Sequence, residues 1–429
     1  MKNKVKSLGR RFVSHELITG SFFVFIGSIT NNAFSFLFNL FLVRTFSISD
    51  YGIYASLLSL LTLSSFLSQS FITIFVKFAA DYFAKGKISD AALLYKKLLR
   101  YMFILSSFVF FFFLILLPFI RDFLHLENSY YIVIAGFLTL FSYVAIVNEA
   151  FLRSILKFKY LSFLASFGSF LKLISGLALV TLGFGIYGAL GAIFLNSIVP
   201  FILAFLPLLF LWKEKTHEKS LPFKPMLKYA VPASIAVLAL TSFITTDIIL
   251  VKHFYSPSQA GLYGGLSLIG KVVLYLTSPI PYVMFPLIIK RYNARLHFHG
   301  LFYLSLLLVL IPSVLITLFY FIFPQFVVSL FLGGKNYIEI VSMVGLFGIF
   351  ILIYSLVNVC VSFFLSIGKS DIYKLVLPLS TLQILLIYLF FHKSFTQIIF
   401  VSIFSLALLL VALLLYYYHN LYGIYHSKK

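Results

Sequence analysis

The sequence predicts an all-α polytopic membrane protein with twelve transmembrane helices, arranged as two parallel-related six-helix bundles around a central cavity. The first observation behind this prediction is composition: 62% of the 429 residues are hydrophobic, 10% are charged, and the mean hydropathy is +1.06. A soluble domain is roughly half apolar and about a quarter charged, so this chain needs lipid as its solvent. The second observation is a series of long apolar runs, and the third is a short sequence that occurs twice.

Apolar runs long enough to cross a bilayer recur along the whole chain. A spanning helix needs about 20 mostly apolar residues. The first run is too long for the apolar region of a signal peptide, so we interpret it as a retained first span. The charged, proline-containing segment 212–228 is predicted to be a cytoplasmic linker between two bundles, residues 1–211 and 229–429. The twelve predicted spans are 17–43, 53–76, 101–120, 130–152, 160–182, 186–211, 229–251, 262–289, 300–323, 338–366, 373–391 and 395–418.

The basic residues predict the orientation of these spans. Cytoplasmic loops of membrane proteins carry an excess of Lys and Arg. If the N-terminus is cytoplasmic, only five of the 33 Lys and Arg residues fall in outside segments. We therefore expect both termini to be cytoplasmic, and the net charge of +21 needs no nucleic-acid partner. The five outside residues are Arg44, Arg121, Lys252, Lys335 and Lys393.

Two short repeated sequences indicate an internal duplication. Residues 42–54 (LVRTFSISDYGIY) match residues 250–263 (LVKHFYSPSQAGLY), and residues 154–157 (SILK) match residues 366–369 (SIGK). The first pair lies where the first span of each half ends, and the second pair follows the fourth span of each half. Parallel repeats related by an axis along the membrane normal are a transporter architecture. We therefore expect a cleft between two bundles that opens to each face of the membrane in turn.

The sequence lacks the motifs of an enzyme. It contains no Ser/His/Asp set, zinc-ligand spacing or phosphate-cradling glycine loop. The single cysteine, Cys360, excludes an intrachain disulfide and a cysteine metal cluster. A membrane glycosyltransferase or polymerase is the alternative from another class, but such enzymes usually carry a large outer domain, and the outer loops here are short. We expect no catalytic residues and no metal site.

Three stretches resemble bacterial polysaccharide flippases of the O-antigen type. These belong to the superfamily that also contains the multidrug-and-toxin (MATE) exporters and the lipid II flippases. Their opening is similar to residues 31–66, NNAFSFLFNLFLVRTFSISDYGIYASLLSLLTLSSF, and the basic end of their second span to residues 75–87, FVKFAADYFAKGK. Their seventh and eighth spans are similar to residues 231–273, VPASIAVLALTSFITTDIILVKHFYSPSQAGLYGGLSLIGKVV. Lipid II flippases usually carry two further helices, which we do not find here.

This resemblance implies a lipid-linked oligosaccharide flippase of the bacterial inner membrane. Such proteins move undecaprenyl-pyrophosphate-linked repeat units, such as those of O-antigen in lipopolysaccharide, from the cytoplasmic to the outer leaflet. The expected partners are this lipid-linked cargo, membrane lipids and the polysaccharide polymerase machinery. No cofactor is expected beyond a coupling ion, Na⁺ or H⁺. A MATE-type multidrug or cation antiporter is the alternative among transporters, although the excess of basic residues in the spans argues against a cationic cargo.

Two lysines inside the predicted spans are the first candidate site residues, because a charge in lipid is costly and marks a functional position. A pyrophosphate cargo needs cations along its path. Lys172 lies near the middle of the fifth span, too deep to reach water easily. The structural alternative is that it pairs with a carboxylate or a carbonyl. Lys271 lies about 9 residues, roughly 13 Å, into the eighth span, from which its ammonium could still reach water.

Three further candidate cations lie at the ends of spans. The repeat pairs Arg44 with Lys252, at the outer ends of the first and seventh spans. These two could guard an outer gate, or they could be ordinary interface cations. Lys77 ends the second span on the cytoplasmic side, where it could meet the pyrophosphate or simply set the topology. We assign all three, with the two lysines above, to the candidate substrate cavity.

The acidic residues of the spans suggest two different roles. Asp247, near the outer end of the seventh span, is the candidate ligand for the coupling ion, and the alternative is a local pair with a neighbouring lysine or histidine. Glu149 and Arg153 are spaced i, i+4 with the acid first, which is the favourable order on a helix. They are predicted to form a structural ion pair near the cytoplasmic end of the fourth span.

Three prolines mark the eighth span, in SPIPYVMFP. Pro279, Pro281 and Pro286 remove backbone donors and bend the helix. In a membrane the freed carbonyls must be satisfied by neighbouring groups or by a wet cavity. We interpret this segment as a gate helix lining the cleft, with a kinked packing helix as the alternative.

Overall fold

A computed structural model describes residues 2–69, 71–216, 223–293, 296–333 and 335–419, and the regular structure within these ranges is helical. Residues 217–222 of the predicted linker lie outside the described residues. The helices of the first half are α1 (Lys2–Thr45), α2 (Ile48–Gln69), α3 (Phe71–Ala84), α4 (Ile88–Ile115), α5 (Leu117–Phe123), α6 (Tyr130–Ser154), α7 (Phe158–Leu179), α8 (Gly185–Phe205) and α9 (Leu209–Lys213). Those of the second half are α10 (Phe223–Ser242), α11 (Thr246–Phe254), α12 (Pro257–Thr277), α13 (Pro279–Asn293), α14 (His299–Ile322), α15 (Pro324–Leu332), α16 (Val344–Ser366), α17 (Tyr373–Leu389) and α18 (Phe395–Tyr417).

The predicted all-α, multi-pass fold class is confirmed. Within the described ranges, nine helices are long and apolar enough to cross a membrane, or ten if α10 and α11 form one bent span. One of the nine, Phe158–Lys213, has 56 residues, which at 1.5 Å per residue is about 84 Å and far exceeds a hydrocarbon core of about 30 Å. It turns back at Gly183, where φ is +93°, so that α7 packs against α8. The total of twelve spans stays a prediction.

The seventh predicted span is broken, which the apolar pattern alone does not reveal. α10 and α11 meet at a bend of 48°, and between them the main chain switches to i→i−3 hydrogen bonds, such as Ile244 N–H to the Thr241 carbonyl at 3.1 Å. Hydroxyls flank the break: Thr241 donates to the Val237 carbonyl and Thr245 to the Thr241 carbonyl. Side-chain hydroxyls that bond to the preceding turn compete with the helical ladder and favour such bends.

The two halves repeat the same turn at the same place, which supports the duplication inferred from sequence. After α6 and after α16 the chain makes three main-chain hydrogen bonds of identical pattern. The middle residue is left-handed in both turns, with φ of +59° at Leu156 and +80° at Gly368. The hydrogen bonds are Ile155 to Phe151, Leu156 to Arg153 and Lys157 to Leu152 in the first half, and Ile367 to Phe363, Gly368 to Leu365 and Lys369 to Phe364 in the second.

This turn yields a stability prediction. Leucine at positive φ is strained by about 1–2 kcal/mol, whereas glycine is not, although glycine also loses more entropy on folding. Since the Leu156 side chain is exposed, we expect Leu156→Gly to stabilise the protein by about 0.5–1 kcal/mol. The measurement is the thermal unfolding midpoint in detergent. Gly368→Leu is the reverse control and should lower the midpoint; a lower midpoint for Leu156→Gly would contradict the prediction.

The first two helices pack on the second half of the chain as well as on their own. The largest buried core joins Phe38 and Leu42 of α1 and Tyr54 of α2 to residues of α10, α12 and α16. Large aromatic side chains elsewhere, such as Phe108 and Phe119, are exposed, as expected for a surface that faces lipid. The interface between the halves therefore centres on α1, α2, α10 and α12, and the candidate site lies along it.

Candidate functional site: the cleft between the two halves

Arg44 forms hydrogen bonds between the first half and the second at one face of the membrane. We call this face, at which α1 ends and α12 begins, the Arg44 face. The helices α3 and α6 end at the opposite face. The Arg44 guanidinium donates Nε–H to the Phe331 carbonyl at 3.3 Å and Nη2–H to the Leu330 carbonyl. Both carbonyls belong to the last turn of α15, where four carbonyls lack helical partners and the helix dipole is negative. Arg44 thus binds a helix end in the opposite half.

His253 makes the matching contact from the second half. Its Nδ1–H donates to the Phe123 carbonyl, at the end of α5, at 2.8 Å, and its ring stacks on that of Phe123 at 4.0 Å. Phe123 and Phe331 are separated by the same number of residues as Arg44 and Lys252. Each half therefore reaches across to the end of the other half's short helix. We call these two contacts the carbonyl clasp.

Lys252 does not make the contact that Arg44 makes, and its assignment to the candidate substrate cavity stays a prediction. Its side chain is 1% exposed and its Nζ has no hydrogen-bond partner among the described residues. Glu127 is the acid that interacts with it electrostatically. The next residue, His253, makes the contact that corresponds to that of Arg44. The sequence does show a histidine directly after the matched cation in the second copy of the repeat, which could have indicated this contact.

Two repeat-related glycines seal the same face. A Cβ on Gly261 would lie 1.7 Å from the Ile48 carbonyl oxygen, and a Cβ on Gly52 would lie 2.6 Å from the Gly261 backbone nitrogen. No side chain fits at either position without moving backbone. Small residues allow membrane helices to approach this closely, and the main chains then pack directly against each other. The start of α2 and the start of α12 are therefore in main-chain contact, and we call the contact at Gly52 and Gly261 the glycine seal.

A polar stripe on α1 leads from this seal into the middle of the membrane. Asn39 accepts a hydrogen bond from the buried Tyr54 hydroxyl at 3.2 Å. One turn further, the Ser35 hydroxyl accepts from the Lys172 ammonium of α7 at 2.9 Å, and the ammonium lies 5.5 Å from the centre of the Phe38 ring. Lys172 is half-buried and forms none of the ion pairs among the described residues. The partner is thus a hydroxyl, and the positive charge remains uncompensated.

Lys271 lies farther from the start of its helix than the predicted span places it. α12 begins at Pro257 rather than at 262, so Lys271 lies about 21 Å from the start of its helix instead of about 13 Å. The extension comes from a capping box at Ser256 with proline at the first helical position. Lys271 is close enough to Asp247 to interact electrostatically, without a direct ion pair.

Asp247 is the only acidic side chain that is buried among the described residues, at 1% exposure. Its Oδ2 accepts from the Tyr263 hydroxyl at 2.9 Å, and its Oδ1 has no hydrogen-bond partner. A bare carboxylate oxygen in a low-dielectric interior is costly, which makes it a natural place for a proton or a cation. Asp247 forms no direct ion pair among the described residues, but it interacts electrostatically with Lys271, so a local pair remains the alternative to an ion site.

Gln383 is a polar residue of this region that the sequence analysis missed. It is fully buried on α17, and its amide donates to the Phe243 carbonyl at 3.2 Å and to the Ser402 hydroxyl at 2.7 Å. Phe243 lies in the break between α10 and α11, so Gln383 satisfies a carbonyl that the break frees. Its Oε1 has no partner. The signal was a single amide in an otherwise apolar span.

The eighth span breaks where the prolines predict. α12 ends at Thr277 and α13 begins at Pro279. Pro279 has no N–H to donate to the carbonyl four residues earlier, which is that of Tyr275. That carbonyl instead accepts from Asn32 of α1 at 2.9 Å, and the same amide donates to the Ser278 hydroxyl at 3.0 Å. Pro281 is buried in the same segment, whereas Pro286 is exposed.

Tyr282 and the Glu149–Arg153 pair lie near each other toward the face opposite Arg44. Tyr282 of α13 is 56% exposed, although Glu149 and Arg153 of α6 are near enough to interact with it electrostatically. Arg153 Nη2 donates to Glu149 Oε1 within the first half, at the i, i+4 spacing predicted from sequence. Lys77 is exposed on α3. The ion pair and Tyr282 therefore face each other across accessible space, as the two walls of a cleft would.

A pocket of about 410 Å³ lies at the Arg44 face, outside the seal. Its lining includes Arg44 and Ser47 from the first half and Gly333 and Tyr337 from the second. No group of three or more His, Cys, Asp or Glu side chains that could hold a metal ion occurs in the part of the chain that the structure describes. The polar groups described along the interface thus include the ammonium groups of Lys172 and Lys271, side-chain hydroxyls, and the buried carboxylate of Asp247.

The fold of the chain is similar to that of solved MATE transporters over most of its length. An inward-facing multidrug resistance MATE family transporter of the MOP superfamily superimposes with a TM-score of 0.72 at 13% identity, over 90% of this chain and 92% of that one. A eukaryotic MATE transporter gives 0.71 at 12% identity, over 95% and 96%. A further MATE multidrug transporter gives 0.69 at 15% identity, over 95% of each chain.

The sequence then gives the family. Residues 41–342 match the profile of a family described as polysaccharide biosynthesis protein, and the chain belongs to it. Among curated proteins no sequence matches. The expectation of a MATE-like fold and of membership in a polysaccharide biosynthesis family is thereby confirmed.

Proposed function

We propose that the protein flips an undecaprenyl-pyrophosphate-linked oligosaccharide repeat unit from the cytoplasmic to the outer leaflet of a bacterial inner membrane. The observation that carries this proposal is the uncompensated ammonium of Lys172, half-buried at mid-depth beside α1. A cation held in the membrane without a carboxylate needs an anionic partner for part of the cycle. A diphosphate supplies that charge, and the membership in a polysaccharide biosynthesis family supports a sugar-bearing cargo.

The described conformation corresponds, in this proposal, to the cytoplasm-open state. The Arg44 face is then the outer face, in agreement with the distribution of Lys and Arg, and both termini are cytoplasmic. The carbonyl clasp and the glycine seal close this outer face. The cleft between Tyr282 and the Glu149–Arg153 pair admits the head group, which then meets Lys172 from the first half and Lys271 from the second. The released product passes to the polymerase machinery.

Coupling to an ion gradient is the second part of the proposal. Asp247 would take up Na⁺ or H⁺ on its unpartnered oxygen, and the Gln383 oxygen is a further unpartnered acceptor in the same half. Lys271 links this carboxylate to the cargo site, because its ammonium interacts with Asp247 from one side. A coupling cation bound to Asp247 weakens the electrostatic attraction between Asp247 and Lys271. The Lys271 ammonium then attracts a phosphate group more strongly.

The test is flipping of a lipid-diphosphate-linked oligosaccharide in proteoliposomes, followed by access of an impermeant glycosidase. We expect Lys172→Gln and Lys271→Gln each to lower the initial rate at least about tenfold, since each removes a charged donor to an anion. Lys374→Gln, an exposed lysine on α17, is the matched control and should retain the parental rate. Normal rates for both cavity variants would refute the assignment of these lysines.

A MATE-type exporter of cationic drugs is the runner-up, favoured by the fold of the solved structures. Lys172 argues against it, because an uncompensated ammonium repels a cationic cargo. Efflux of a cationic dye from vesicles separates the two functions. Dye efflux that survives Lys172→Gln, in a protein that does not flip the lipid-linked sugar, would favour the drug exporter.

A further inference from the structure

We propose that Asn32 is a positioning residue that holds the two halves in the conformation open to the face opposite Arg44, by binding the carbonyl that Pro279 frees. This inference rests on the alternating-access cycle proposed above and concerns its conformational step rather than its cargo. Asn32 lies on α1 in the sequence SITNNAFS, ahead of the residues that match the family.

The first step of the argument is the free carbonyl. In a regular helix the residue 279 amide would bond to the Tyr275 carbonyl, but proline has no N–H. A carbonyl without a partner in a membrane interior costs several kcal/mol in principle, so it must be satisfied by another group. Most such carbonyls are satisfied within the same helix bundle. Here the donor comes from the other half of the protein.

The second step is the donor. Asn32 Nδ2 donates to the Tyr275 carbonyl at 2.9 Å and to the Ser278 hydroxyl at 3.0 Å, so both amide hydrogens bind the break between α12 and α13. By contrast, Asn39 on the same helix donates to the Ser35 carbonyl of its own helix. Of these two asparagines on α1, Asn32 alone joins the halves.

The third step is the position of this contact. Ser35, which binds the Lys172 ammonium, lies one turn along α1 from Asn32. Lys271 lies one turn before Tyr275 on α12. The bond therefore joins α12, which carries Lys271, to α1, whose Ser35 binds the Lys172 ammonium of α7. A cargo anion that draws Lys172 and Lys271 together changes the spacing of α1 and α12 at this contact.

The consequence is a bond that exists in one state of the cycle. When the cleft opens to the Arg44 face, the halves move against each other, and we expect the Asn32–Tyr275 contact between α1 and α12 to break and leave the Tyr275 carbonyl to water in the cleft. Asn32 thus stabilises the state described here relative to the other one. Hydrogen bonds between membrane helices shift such an equilibrium by about three- to tenfold.

The experiment measures the conformation by cysteine labelling in the full-length chain, independent of any cargo. The single native cysteine, the buried Cys360, is replaced by Cys360→Ala. Tyr282→Cys reports access from the opposite face, and Val43→Cys, which is buried beside the pocket at the Arg44 face, reports opening there. An impermeant maleimide is applied to inverted vesicles for the first reporter and to intact cells for the second.

We expect Asn32→Ala to slow labelling at position 282 about three- to tenfold and to speed labelling at position 43 by a similar factor. Asn32→Leu, which keeps the number of side-chain heavy atoms, should do the same. Ser107→Ala, which removes a hydroxyl that bonds to the Phe103 carbonyl within α4, is the control and should leave both rates within twofold. Unchanged rates in both Asn32 variants, in protein that unfolds at the parental temperature, would overturn the proposal, as would an equal shift in Ser107→Ala.

A second variant tests the cause. Pro279→Ala restores an N–H four residues after Tyr275, so the carbonyl gains a partner within its own helix. In that background Asn32→Ala should change both labelling rates less than twofold, because the two substitutions are coupled. An undiminished effect would overturn the role of Pro279. A labelling shift in a protein that does not flip lipid-linked sugar would support Asn32 and refute the proposed cargo.

Discussion

Gly261→Ala is expected to abolish most of the transport activity and to leave the Arg44 face open. The added Cβ would lie 1.7 Å from the Ile48 carbonyl oxygen, a distance that no relaxation of a side chain can relieve because both groups are main chain. Forcing packed elements apart typically costs about 1–3 kcal/mol. In a two-state cycle this cost shifts the equilibrium about fivefold to more than a hundredfold toward the state in which α2 and α12 are separated.

The measurement combines flipping in proteoliposomes with labelling of Val43→Cys from the Arg44 face. Flipping should fall and labelling should rise in the same variant. Gly300→Ala is the control, because a Cβ at Gly300 meets nothing within 4 Å. Parental flipping in Gly261→Ala would mean that the glycine seal is not part of the closed state that the cycle requires.

Asp247→Asn is expected to remove the dependence of transport on an ion gradient. The substitution keeps a group that accepts from Tyr263, but it removes the charge that attracts a coupling ion. It also leaves Lys271 without its nearest acid, and an uncompensated buried charge typically costs about 3–5 kcal/mol. We therefore expect a lower unfolding midpoint together with loss of gradient-driven flipping.

The double variant Asp247→Asn with Lys271→Gln separates the two effects. Removing both charges should restore most of the stability, while gradient coupling stays lost. Asp122→Asn, an exposed carboxylate in a surface ion pair, is the control and should change neither property. Gradient-driven flipping that persists in Asp247→Asn would show that another group carries the ion.

The parts of the fold that the sequence predicts are those set by local rules. Apolar run length identifies the helices and their class. The SILK and SIGK pair indicates corresponding positions in the two halves, and the same three main-chain bonds occur around Leu156 and Gly368. The i, i+4 spacing of Glu149 and Arg153 predicts their bond because both residues are on one helix.

The parts that sequence does not predict depend on which helices meet. Nothing local to Asn32 indicates that its amide binds a carbonyl in a helix 243 residues away. The repeat pairs Arg44 with Lys252, yet it is His253 that bonds to a main-chain carbonyl of the other half. The reason is that the direction of a side chain at a helix end depends on the packing around it. The predicted span places Lys271 too near the start of its helix, because a capping box, not hydropathy, sets that start.

The carbonyl clasp has a consequence for how freely this protein can vary. Arg44 and His253 both bind main-chain oxygens, which every residue supplies regardless of its side chain. The ends of α5 and α15 can therefore exchange amino acids without losing their half of the contact, provided that the helices still stop at the same place. Homologous chains that handle different surface sugars could retain this closure while the segments opposite each cation drift apart in sequence.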